Sequence, residues 1–150
     1  MARIQRVSYV LAVHDLPRST AYWRDVLGWD LGFEDPGNWS FMFRDSVGVH
    51  LGECKDAIAP ANLGDHSYFA YIIIDDLDAS RAGIAAKGAE IIAPPADKPW
   101  RMREMPVRTI DGHRIMSWNF VATRKELIIR AAADWDADRF EKVPGETERI

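Results

Sequence analysis

His50 stands in Gly48-Val49-His50-Leu51-Gly52, where the alternation of an extended segment puts Val49 and Leu51 on one face and the imidazole, flanked by two glycines, on the other. The glycines are expected to leave open space beside the ring. Imidazole is the side chain that titrates near neutral pH, so His50 is the candidate for acid-base catalysis or for holding a ligand. The chain is also rich in rings, with six Trp, four Tyr and six Phe in 150 residues. Trp39 and Phe41 precede His50, and Phe69, Tyr71, Trp100 and Trp118 follow it. Such rings suit a planar or aromatic ligand, because stacking gives affinity without demanding many hydrogen bonds. Arg103, Met105 and Met116 complete the candidate ligand-binding set: a guanidinium that needs a carboxylate, phosphate or ring partner, and two soft, adaptable thioethers.

Other chemistries are excluded by what the sequence lacks. Cys54 is the single cysteine, so no intrachain disulfide can form and no CxxC pair exists. There is no Gly-rich phosphate loop and no nucleophile elbow. A net charge of -4 with 28% charged residues argues against a nucleic-acid grip and favours a neutral or cationic ligand. No apolar run approaches the length of a membrane span, and the run before His14 and Asp15 is too short for a signal peptide. The expectation is a cytoplasmic protein with no membrane partner, no nucleic-acid partner and no cofactor.

The elements that must position these residues are legible in the pattern. Ser8 to Val13 reads as a buried strand, and Asp15 can cap a helix over 17–27 with Pro17 in its first turn. Trp29 to Glu34, Trp39 to Arg44 and Val47 to Glu53 read as strands, the last two joined at Asp45-Ser46. A two-residue loop there sets Phe41 opposite His50, with Trp39 and Phe43 on the same face. Tyr68 to Ile74 is a strand, Asp76 caps a helix over 77–87, and Ala89 to Ala93 is a strand. A hairpin then spans Pro99 to Trp118 around Ile110-Asp111-Gly112. Counted outward from a two- or four-residue loop, Met116 shares a face with Met105 or Val107, and Trp118 with Arg103 or Met105. Arg103, Met105, Met116 and Trp118 are thus expected to point inward together.

The pattern repeats. Asp15-Leu16-x-x-Ser19 matches Asp76-Leu77-x-x-Ser80, and the helix-stopping Gly28 matches Gly88. Two copies of one supersecondary unit sharing a core follow. They are expected at 1–66, with its linker, and 67–120, ahead of an extension at 121–150 that carries a short strand at 127–129 and a helical turn around Trp135, Arg139 and Phe140.

Two βαβββ units, DLxxS at the head of each helix, Val26-Leu27-Gly28-Trp29 at the end of the first, and PWRMREMPVRTIDGHRI near the close resemble the vicinal oxygen chelate superfamily, also called the glyoxalase, bleomycin resistance and dioxygenase superfamily. The resemblance covers roughly residues 5 to 120. It implies an α+β fold, two βαβββ modules with curled mixed sheets enclosing a cavity, and a homodimer. Family members include metal-dependent isomerases, lyases, thiol transferases and dioxygenases beside metal-free drug-binding proteins, so the resemblance implies a shape more than a reaction. Its metal enzymes place ligands at positions that fall here on Ser8, His50, Phe69 and Met116. Only His50 is of a ligand type, because a divalent metal wants imidazole or carboxylate donors in a near-complete shell. The family also has Gly where this chain has Arg101, and Asp-Pro where it has Thr109-Ile110. The resemblance therefore implies a metal-independent small-molecule binding protein of the bleomycin-resistance type. The rival is a lyase, isomerase or cyclase that uses His50 as acid or base, or an atypical metal site.

Overall fold

A computed structural model of the chain describes residues 7–66 and 68–120, together with Ala133 and Ala137. The strand expected at 127–129 and the turn around Trp135 fall outside the described residues. The first module runs β1 (Ser8–Val13), α1 (Leu16–Ala21), β2 (Asp30–Asp35), β3 (Trp39–Arg44) and β4 (Val47–Glu53). The second runs β5 (Tyr68–Ile73), α2 (Leu77–Ala86), β6 (Glu90–Ile91), β7 (Ala96–Asp97), β8 (Met102–Arg108) and β9 (Arg114–Phe120).

The two sheets follow one path. Their orders are β1-β4-β3-β2 and β5-β9-β8-β6, each starting with a parallel pair and continuing antiparallel. The repeat in sequence is thus a repeat in topology. Asp15 and Asp76 each cap their helix, accepting from Arg18 N at 3.0 Å and from Ala79 N at 2.8 Å. Gly28 and Gly88 take φ of +74° and +87° just past the helical segments, a region that L side chains rarely adopt. One departure is in the first helix, where Leu27 N bonds to Tyr22 O at 3.1 Å, so Tyr22–Val26 forms a π-helical turn. Another is the strand expected at 89–93. Pro94 and Pro95 have no N–H to give to a ladder, and the strand ends at Ile91 and resumes as β7, both pieces pairing with β8. Pro60–His66, expected as loop, is a short 3-10 helix.

Both sheets give one face to a single core. Trp23, Leu27, Met42, Val49 and Leu51 from the first module join Leu77, Met105, Val107 and Ile115 from the second. Polar contacts close the seam: Ser19 Oγ donates to the Asp111 carboxylate at 2.8 Å, and Tyr22 OH to Arg108 O at 3.2 Å. The opposite face of each sheet carries exposed apolar residues, among them Val10, Phe33 and Trp39 on the first and Tyr71 and Ile73 on the second. Among the described residues the two sheets are not closed into a barrel.

The hairpin register corrects the expected facing. Arg108 pairs with Arg114, leaving a five-residue loop from Thr109 to His113. Thr109 N bonds to His113 O at 2.8 Å, Gly112 N to Thr109 O at 2.9 Å, and Gly112 takes φ +94°. An odd loop changes the parity of the pairing, and a one-residue shift exchanges the two faces. Met105 therefore pairs with Ser117, Pro106 with Met116 and Glu104 with Trp118. Arg103 and Met105 stand on the face opposite to Met116 and Trp118.

Candidate functional site

On β4 the alternation works as read: Val49 and Leu51 are buried in the core and His50 lies on the other face. The two-residue turn at Asp45-Ser46 makes Phe41 the antiparallel partner of His50, and their rings stack at 3.9 Å with 15° between planes. Phe43 meets His50 edge-on at 6.4 Å, while Trp39 and Phe33 meet Phe41 at 6.3 Å and 4.9 Å.

The glycines have a different task from the one expected. A Cβ on Gly52 would lie 2.8 Å from the Trp39 ring, and one on Gly32 would lie 2.5 Å from the Phe43 ring. On Gly48 it would meet Ser8 Oγ at 2.5 Å and Phe43 at 3.1 Å. The space beside the imidazole is therefore not open; rings lie flat on bare backbone to either side of it. The result is a low aromatic floor on which Val10, Phe33 and Trp39 are 63%, 51% and 40% exposed. Among the described residues the partners of His50 are rings, with no hydrogen bond to its nitrogens.

The second sheet builds a different face. Tyr71 and Trp100, both about half exposed, converge on Glu104, which is buried. Trp100 Nε1 donates to Glu104 Oε1 at 2.8 Å, and Tyr71 OH donates to the same oxygen. Burial first, and then the bond to Glu104, hold the Tyr71 hydroxyl well above the usual phenol range, so it stays a donor. Trp100 is placed by a tight loop in which Arg101 N bonds to Lys98 O at 3.0 Å. Arg101 takes φ +63°, the left-handed region, where a glycine, as the resemblance implies at this position, would sit without strain.

Three of the predicted residues are elsewhere. Met105 is fully buried in the core between the modules. Arg103 points away from the Glu104 face, bonded to Asp97 at 2.7 Å and to Asp78 of α2 at 3.3 Å. Phe69 sits at a register shift between Tyr68 and Ala70, which turns it to the core side against Tyr9, Trp23 and His113. Met116 and Trp118 share the Glu104 face by register, and their side chains lie outside the described residues. The structure thus brings together Trp39, Phe41 and His50 on one face, and Tyr71 and Trp100 on the other. Glu104 is the residue that sequence reasoning left out. Its signal was the apolar pair Met105 and Val107, which places those two on the core face of β8 and Glu104, one residue before Met105, on the other face. A cavity of about 150 Å³ does lie between the modules, lined by Trp29, Val47, Ile72, Ile84, Val107 and Ile115, but none of the predicted site residues lines it.

Of the metal positions implied by the resemblance, Ser8 and His50 share a face of the first sheet, whereas Phe69 lies on the core side of the second. Ser8 Oγ lies against Gly48, Phe69 is turned to the core, and among the described residues no three His, Cys, Asp or Glu side chains come together. The residues present do not fit the donor set of the family's metal enzymes. Protein purified without chelator and dialysed is expected to hold far less than one equivalent of Zn, Ni, Mn or Fe, with a melting temperature that EDTA leaves unchanged. Stoichiometric metal that is lost in a His50→Ala variant would refute this.

Comparison with known proteins agrees with the fold. The model of the Glyoxalase/Bleomycin resistance protein/Dioxygenase superfamily matches residues 3–116. No curated protein sequence matches the chain. Among solved structures, the bleomycin-binding protein from bleomycin-producing Streptomyces verticillus, complexed with copper(II)-bleomycin, is 22% identical, with a TM-score of 0.63 over 78% of this chain and 97% of that one. TioX from Micromonospora sp. ML1 is also 22% identical, with a TM-score of 0.65 over 78% and 99%. A glyoxalase/bleomycin resistance protein/dioxygenase from Nocardioides is 19% identical, with a TM-score of 0.61 over 83% and 89%.

Proposed function

The chain belongs to the glyoxalase/bleomycin resistance protein/dioxygenase superfamily, and on that premise we propose that it is a metal-independent binding protein of the bleomycin-resistance type that sequesters a planar or aromatic compound. The observation that carries this reading is the aromatic floor around His50. Rings seated on glycine backbone expose their faces, and a flat ligand can cover them at little cost in side-chain ordering. Among the described residues neither open face is a closed pocket. Each would gain a second wall by facing the corresponding region of another copy, so the working form is a homodimer whose sites combine the His50 face of one protomer with the Glu104 face of its partner. The exposed apolar residues of both sheets support that assembly.

The test is a titration of intrinsic tryptophan fluorescence with copper(II)-bleomycin and with a small panel of naphthalene and anthraquinone compounds. Trp39 and Trp100 are 40% and 52% exposed, so a bound planar compound is expected to quench emission, and sedimentation is expected to give the mass of two chains. Absence of binding across the panel would remove this reading. Among the described residues no hydrogen bond reaches the nitrogens of His50, which favours one rival, an enzyme that uses this imidazole as acid or base without a metal. Chemical change of a bound compound, abolished by His50→Gln, would establish the rival instead.

A further inference from the structure

Glu104 presents an electrostatic imbalance. It is 6% exposed, yet among the described residues no ion pair reaches it. Three arginines of the second module are engaged elsewhere: Arg103 on Asp78 and Asp97, Arg108 on Glu90, and Arg114 over the Tyr68 ring at 5.6 Å. Lys98 lies 5.9 Å from the centre of the Trp100 ring, on the aromatic face and not on the carboxylate. What does reach Glu104 is a pair of neutral donors, Tyr71 OH and Trp100 Nε1, and both bond to Oε1. A carboxylate removed from water is costly unless it is both hydrogen-bonded and paired with positive charge. Among the described residues, half of the hydrogen bonding is supplied and none of the charge.

The surroundings select what can supply it. Two half-exposed rings flank the acid, and aromatic rings attract cations as well as flat apolar groups. An anionic ligand would meet repulsion from Glu104 and from a chain of net charge -4. We propose that Glu104, with Tyr71 and Trp100, is the recognition point for an organic cation: an ammonium or guanidinium group on the aromatic ligand, whose N–H groups donate to the carboxylate while its charge lies beside the two rings. This deepens the binding reading given above and rests on it. Tyr71 and Trp100 act as positioning residues for the acid, fixing Oε1 and leaving Oε2 to the ligand.

Two matched probes test it, 1-naphthylmethylammonium and the neutral 1-naphthylmethanol, titrated by calorimetry near neutral pH. The ammonium is expected to bind roughly tenfold or more tightly than the alcohol, the scale of a hydrogen bond to a charged partner. Glu104→Gln, which retains an oxygen to accept from Tyr71 and Trp100, is expected to remove that advantage, so that the two probes bind the variant with affinities within about twofold of each other. Equal affinities in the native protein, or a preference that survives Glu104→Gln, would overturn the inference alone. Failure of both probes to bind would overturn it together with the reading beneath it. The comparison of the two probes on the native protein needs no variant, so it decides the matter even if Glu104→Gln does not fold.

Discussion

Replacement of Trp23 by Ala is expected to lower the unfolding free energy by about 3 to 5 kcal/mol, the usual range for truncating a fully buried Trp. Trp23 has no exposed surface, meets Trp29 edge-on at 5.0 Å, and lies 6.1 Å from Phe69 of the second module. Its backbone oxygen accepts from Trp29 N at 3.0 Å, so the residue also ties the end of the helical segment to the start of the next strand. The cavity left by truncation would open where both modules share their core. Domains of ordinary stability hold about 5 to 15 kcal/mol in total, so the Ala variant should sit near the edge of folding at room temperature. Urea unfolding followed by circular dichroism gives the value without relying on the removed fluorophore.

Trp23→Phe separates packing from polarity. The Trp23 Nε1 group is buried with no hydrogen-bond partner among the described residues, and Phe removes this unsatisfied donor while keeping a ring against Trp29. The lost indole area and the relieved donor act in opposite directions, so the expected cost is about 1 to 2 kcal/mol. An Ala variant within about 1 kcal/mol of the native protein would mean that the modules do not depend on this contact.

Why Trp23 was legible and Glu104 was not is a matter of which signal each depends on. The helix face carrying Tyr22, Trp23, Val26 and Leu27 follows from local spacing, and the Asp15 and Asp76 caps follow from residue type at a helix start. The pairing of Phe41 with His50 follows from a two-residue turn, where residue type and loop length agree. The second hairpin lacks that agreement. Asp111-Gly112 marks a reversal but not its length, and the Thr109 hydroxyl, which accepts from His113 N at 3.0 Å, stabilises a loop of five. One residue of difference moved Arg103 and Met105 to the far face and turned Glu104 to the near one. Phe69 was misplaced for a related reason, since a register shift inside β5 breaks the strict alternation from which its face was inferred.

The second large effect concerns the aromatic floor. Trp39→Ala is expected to weaken binding of a planar probe by about 1 to 3 kcal/mol, the scale of an aromatic anchor in an interface. In affinity this is roughly 5- to 150-fold. The stability cost should be well below that of Trp23→Ala, because Trp39 is 40% exposed in the folded chain and has less contact to lose. Gly52→Val reaches the same ring from beneath. Its Cβ would fall 2.8 Å from the Trp39 ring, so the indole must lift from the sheet, whereas a β-branched residue suits the extended backbone of β4. If the seated indole is what the ligand contacts, Gly52→Val should weaken binding about as much as Trp39→Ala, and the double variant should lose little more than either alone, because both remove one interaction. Additive losses would indicate two separate contacts. Unchanged affinity in both variants, with a fall in stability, would assign the floor to packing and leave the Glu104 face to account for recognition on its own.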